Sequence, residues 1–89
     1  MNNQIILICT PLRFYTQNDE SLFFEWIKKI ESIKDFKGIG NALHLYFDSN
    51  QVSNDDLLDL MGLFDRYKFD VQQLKVFMNE DNKDWFEEA

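Results

Sequence analysis

The run Ile5-Ile6-Leu7-Ile8-Cys9, closed by Thr10-Pro11, constrains this chain more than any other stretch. Five consecutive apolar residues, three of them β-branched, make a strand length rather than a helix length, and Pro11 opposes continuation. A strand with one wet face alternates apolar with polar residues. This one does not: Ile5, Leu7 and Cys9 point one way, Ile6 and Ile8 the other, and both sets are apolar. The run therefore reads as the central strand of a small sheet with helices packed on it.

The rest of the chain supplies those helices. Thr16 and Asn18 are candidate N-caps for a helix beginning near residues 16–19 and running to about Ile33, with Asp19 and Glu20 at its positive start. Leu22, Phe23, Trp26, Ile27, Ile30 and Ile33 fall on one stripe, Phe24 falls off it, and Gly38 suits a helix C-terminus. Residues 41–48 alternate, so they read as an edge strand. Ser53 and Asp56 form a capping box for a second helix reaching Tyr67. Its apolar residues cover roughly 220° of the wheel, more than one buried face requires. Gly62 inside it is a propensity cost that suits close packing. Leu74–Met78 reads as a third strand, and residues 79–88 as a terminal helix docked by Trp85 and Phe86. The expectation is a single α/β domain over residues 1–89, ordered β-α-β-α-β-α around a small three-stranded, mostly parallel sheet. Strand order 2-1-3 covers both faces of the first strand; order 1-2-3 would put both crossover helices on one face.

Composition is consistent with that domain. Apolar residues make up 45% of the chain and aromatics 16%, enough for a packed core and against disorder. A single cysteine provides neither an internal disulfide nor a zinc cluster and fits a reducing compartment. No charged-then-apolar leader is visible and no apolar run approaches the ~20 residues of a membrane span, so the expected location is the cytoplasm. The formal net charge is −7, and its distribution is uneven. The first 47 residues balance five acids against five bases, whereas residues 48–89 carry eleven acids and four bases. An acidic field argues against nucleic acid and anionic lipid as ligands and for a basic protein surface as the partner.

No residue set forms a catalytic motif. Cys9 ends a strand and Arg13 follows, but Thr10-Pro11-Leu12 lacks the run of backbone amides that a phosphate-binding thiolate loop needs, so Cys9 reads as a small core residue. His44, the sole histidine, has no triad partners at readable spacing. Asp48-Ser49-Asn50 opens like a calcium loop, but the required glycine does not follow. No metal, cofactor or catalysis is expected. A run of acids is most often just a solvated face. Here the acids sit beside surplus apolar surface, which suits an anionic docking site with apolar anchors inside and steering charge around them. The candidate partner-binding residues are Asp55, Asp56, Asp59 and Leu63 on the second helix, with Asp81, Asp84, Trp85 and Glu87 on the terminal segment.

The runs FYTQNDESLFFEWIKKI (14–30), LFDRYKFDVQQLKVFMN (63–79) and DWFEE (84–88) resemble the small acidic immunity proteins made beside polymorphic and contact-dependent growth-inhibition toxins of bacteria. Size, acidity and α/β mix are also similar to barstar-type ribonuclease inhibitors, although the functional acids of that family find no matching motif here. The resemblance implies a non-enzymatic protein that binds and neutralises a cognate toxin, in many such systems a basic nuclease. The alternative is an acidic adaptor or regulatory domain that pairs with itself through the second helix.

Overall fold

The structure, a computed structural model, describes residues 4–87, and the side chain of Glu87 lies outside the described residues. Strand β1 (Ile5–Cys9) leads to helix α1 (Gln17–Lys29), then to strands β2 (Asp35–Ile39) and β3 (Ala42–Phe47). Helix α2 (Asn54–Arg66), a 3-10 helix (Val71–Phe77) and a short helix α3 (Lys83–Glu87) complete the chain. The sheet is antiparallel, in the order β1-β3-β2. The expected mostly parallel sheet is therefore corrected, as is the central place of β1: β3 lies in the middle and β1 at an edge.

The correction traces to residues 35–41. Gly38 does not cap a helix; it lies inside β2. Ile39 pairs with Ala42, leaving Gly40-Asn41 as a two-residue hairpin loop. Gly40 has φ +62, and only its first-position left-handed backbone is needed for a turn whose twist matches the strands. A two-residue hairpin enforces antiparallel pairing, and β3, entering between β1 and β2, separates the two strands that α1 connects.

One face of this sheet is covered. Leu7, Cys9, Leu43, Leu45 and Phe47 are buried in a single core with Phe23, Ile27 and Ile30 at the α1 side, and Leu57, Leu60, Leu63 and Phe64 of α2. The other face is open: Ile6 is 47% exposed, Ile8 39% and Ile39 48%. The fold has two layers, sheet and helices, where β1 suggested three.

The helices are set by local chemistry. The Thr16 hydroxyl accepts the Asp19 N–H (3.1 Å) and the Asp19 carboxylate accepts the Tyr15 N–H (3.2 Å), closing the start of α1 from both sides. Phe23 and Ile27 of the expected stripe are buried, as is Ile30 at the C-cap, while Trp26 and Ile33 are half-buried and Leu22 faces solvent. Leu22 is 63% exposed, and Phe24 packs on Phe36 of β2 with ring centroids 5.7 Å apart. Ser53 caps α2 by accepting the Asp56 N–H (3.1 Å). The helix ends in a Schellman motif: Phe69 N–H donates to Phe64 C=O (2.9 Å) and Lys68 N–H to Asp65 C=O (3.3 Å), with Lys68 left-handed at φ 64. The Phe64 and Phe69 rings meet at 5.5 Å, the apolar contact that accompanies such a stop.

The expected third strand is a 3-10 helix. Asp70 caps it by accepting the Gln72 N–H (2.9 Å). Leu74 and Phe77 are buried while Val76 and Met78 are exposed, a period of three where a strand would show two. Its Gln73 amide clips the β1 edge, accepting the Ile8 N–H and donating to the Ile8 C=O, both at 2.8 Å. Buried Asn82 then anchors the approach to α3 through Phe77 C=O (3.2 Å) and the Asn79 N–H (2.7 Å).

Candidate functional site

The outer surface of the helical layer holds an open groove of ≈ 940 Å³. Pro11, Arg13 and Tyr15 of the β1–α1 connection form one wall. Residues of α1, led by Leu22, Trp26 and Lys29, face Asp59 and Arg66 of α2, and Tyr67 and Lys68 close the end. The helix packing that creates the groove is fixed by polar ties between the two helices. Trp26 Nε1 donates to Asp59 Oδ1 (3.4 Å), and the Arg66 guanidinium lies 5.8 Å from the centre of the Trp26 ring. The Tyr67 hydroxyl donates to Asp19 Oδ1 (3.1 Å); burial first, and that hydrogen bond second, push its pKa above the ordinary phenol value. A Cβ on Gly62 would stand 3.7 Å from the Trp26 ring, an ordinary van der Waals contact, so the close packing expected at Gly62 does not require glycine.

The groove presents large side chains to solvent. Tyr15 is 97% exposed and Leu22 63%, while Leu58 of α2, 53% exposed, does not line the groove. Trp26 is half-buried, one indole edge held by Asp59. Charges of both signs surround these groups: Arg13, Lys29, Arg66 and Lys68 against Asp19, Glu25 and Asp59. Trp, Tyr and Arg are the residues over-represented where protein interfaces concentrate their binding energy.

The eight residues expected to bind a partner are placed differently from one another. Asp55 is exposed at the first turn of α2. The Asp56 carboxylate turns away from the cap and accepts from the Ser32 N–H (3.0 Å) and the Ser32 hydroxyl, tying α2 to the end of α1. Asp59 lines the groove while holding Trp26. Leu63 is fully buried, so its expected place beside the polar side of α2 is corrected: the buried stripe of the helix is centred on its neighbours Leu60 and Phe64. Asp81 and Asp84 are exposed near α3, Trp85 is half-buried against the core, and the Glu87 side chain falls outside the described residues. Among the described residues no α3 side chain lines the groove, so Asp81, Asp84 and Trp85 do not share it with Asp59.

Helical spacing does not single out Tyr15, Leu22 or the cations Arg13, Arg66 and Lys68 as site residues. Spacing assigns Leu22 to the core, and its exposure follows from the rotation of α1 about its axis, which periodicity does not fix. Cys9 is fully buried and its thiol is pushed up to about 12 by desolvation, which suppresses the nucleophilic thiolate at neutral pH. His44 lies half-buried on the open sheet face, paired across strands with Ile8 and Lys37. Among the described residues no group of three or more His, Cys, Asp or Glu side chains is arranged to hold a metal ion, and no helix is long and apolar enough to cross a membrane. No family model matches the chain, and neither the curated proteins nor the solved structures offer a match.

Proposed function

We propose that this chain is a protein-binding inhibitor of the immunity-protein kind, which holds a basic toxin, in the first instance a nuclease, against the outer face of its helical layer. The observation that carries the reading is the groove in which exposed Tyr15 and Leu22 accompany the half-buried Trp26, bordered by charge. Such side chains gain most when a partner removes them from water, and the surrounding charges set orientation and approach. Asp55 on α2, with Asp81 and Asp84 near α3, supplies exposed negative charge that attracts a basic surface. Asp56 and Asp59 act in this scheme by positioning the helices and Trp26, and Leu63 by filling the core beneath.

The test is co-purification with the product of the neighbouring gene, followed by binding kinetics of Asp55→Ala, Tyr15→Ala, Leu22→Ala and Asp84→Ala at low and high salt. At least one anchor variant is expected to lose ~2 kcal/mol of binding, and the acid variants to slow association most at low salt. Wild-type affinity in all four, or association indifferent to salt, would remove the helical face from the interface.

A further inference from the structure

The sheet face away from the helices is the other unassigned surface of the chain. Ile6, Ile8 and Ile39 are exposed on it, and Ala42, His44 and Tyr46 are half-buried between them. Register joins them into one patch: Ile6 opposes Tyr46, Ile8 opposes His44, and Ile39 opposes Ala42. An antiparallel sheet that faces water ordinarily carries polar residues there. In β1 the outward positions are isoleucine instead. We infer that this face packs against the same face of a second copy of the chain, giving a weak face-to-face dimer with the sheets inside and the helices outside.

Charge selects a second copy as the occupant. The chain carries −7, but the strands contribute to this face one acid, Asp35, and one base, Lys37, two residues apart on β2. Two such faces meet without net repulsion, and two-fold symmetry can bring Asp35 of each copy toward Lys37 of the other. Asp55, Asp59 and Asp65 belong to α2, on the covered side of the sheet. The shortest dimension of the molecule is 20 Å. Face-to-face packing therefore separates the two acidic layers by more than the ~10 Å over which salt screens charge. A basic partner, by contrast, is drawn to the helical layer.

Geometry also favours the face over the edges. Side-by-side pairing through β1 is obstructed because Gln73 already occupies the Ile8 N–H and C=O. On β2 the Phe36 N–H is taken by the Asp35 carboxylate at 2.8 Å, and Lys37 guards the strand. Stacked sheets have no such obstacle and sit about 10 Å apart. Three strands of five or six residues make a plan area of roughly 14 × 18 Å from strand spacing and rise. Counting both copies, that plan area is about 500 Å², below the ~1,000 Å² of stable specific association, so the dimer is weak and forms only at high concentration.

Sedimentation equilibrium of the full chain, up to near-millimolar concentration and at low and high salt, tests this. A monomer–dimer equilibrium that changes little with salt is expected, because the two faces meet without net repulsion, together with at least a ~30-fold weakening in Ile8→Lys. Ile8 and Ile39 are both exposed, so Ile39→Lys gives the same reading if Ile8→Lys melts abnormally. Leu58→Lys, on the helical face, should leave the dimer intact. A wild-type chain that stays monomeric, or a dimer that survives both isoleucine variants, overturns the inference. So does a dimer dissolved by Leu58→Lys alone. If Ile8→Lys abolishes capture of the neighbouring gene's product by a monomeric chain, the face belongs to that partner and the inference falls, while the inhibitor reading stands on its own kinetics.

Discussion

Asp55 and Asp56 show how far neighbouring residues of one type can differ in role. Both sit in the first turn of α2, where a carboxylate is favoured by the helix N-terminus. Asp55 is exposed, while Asp56 accepts two hydrogen bonds from Ser32 and closes the gap between the end of α1 and the start of α2. Removing it leaves the Ser32 N–H without that partner and loses a charge-assisted bond. Asp56→Ala is therefore expected to destabilise the fold by about 1–3 kcal/mol, and Asp55→Ala by less than about 0.5 kcal/mol. Chemical denaturation of the two variants side by side checks this, and equal midpoints would mean that the Ser32 tie carries no stability. In binding the order reverses: Asp55 is free to meet a partner's cation and Asp56 is already engaged.

At the scale of the element, β1 is the informative case. Its two sides are chemically alike and physically different. Leu7, 3% exposed, stands under the helices; Ile6, 47% exposed, stands in solvent in the single chain. Leu7→Ala leaves a hole in a packed core and is expected to cost about 2–5 kcal/mol. Ile6→Ala removes surface that is half in water already and should cost under about 1 kcal/mol in dilute solution. Denaturant melts of both variants at low protein concentration decide it, and a large loss in Ile6→Ala would mean that its face is covered even in the monomer. The 3-10 helix makes the complementary point. Leu74 and Phe77 enter the core three residues apart, while Gln73 between the turns finishes the β1 edge that no fourth strand reaches.

For the whole molecule, the uneven charge matters most. Eleven of the sixteen acids lie after residue 47, and the helical layer built largely from that half carries its own repulsion. Like charges crowded on one layer oppose compaction, and added salt screens them. The melting temperature of dilute protein is therefore expected to rise with moderate salt. A melting temperature that falls instead would show that attractive pairs outweigh repulsion in the folded state. Salt is thus expected to act in opposite directions on two properties of the chain: it would favour folding and slow the capture of the proposed basic partner.

Local chemistry wrote several features plainly into the sequence. β1 ends at Cys9 before Pro11, Thr16 and Ser53 cap the two main helices, and Cys9 is a core thiol, because each depends on residues within a few positions of one another. The hairpin does not follow from the sequence: Gly38 reads there as a helix stop, and β2 and the Gly40-Asn41 turn emerge only in the structure. What the sequence could not settle is which apolar residues find cover. Leu22 and Leu63 both fit an apolar helical stripe, yet one is exposed and the other buried, because the rotation of each helix is set by packing across the whole core. The same holds for β1. Its residues call for cover on both faces, but β3 entered beside it, the helices gathered on one side, and the contacts of distant segments left the other face open.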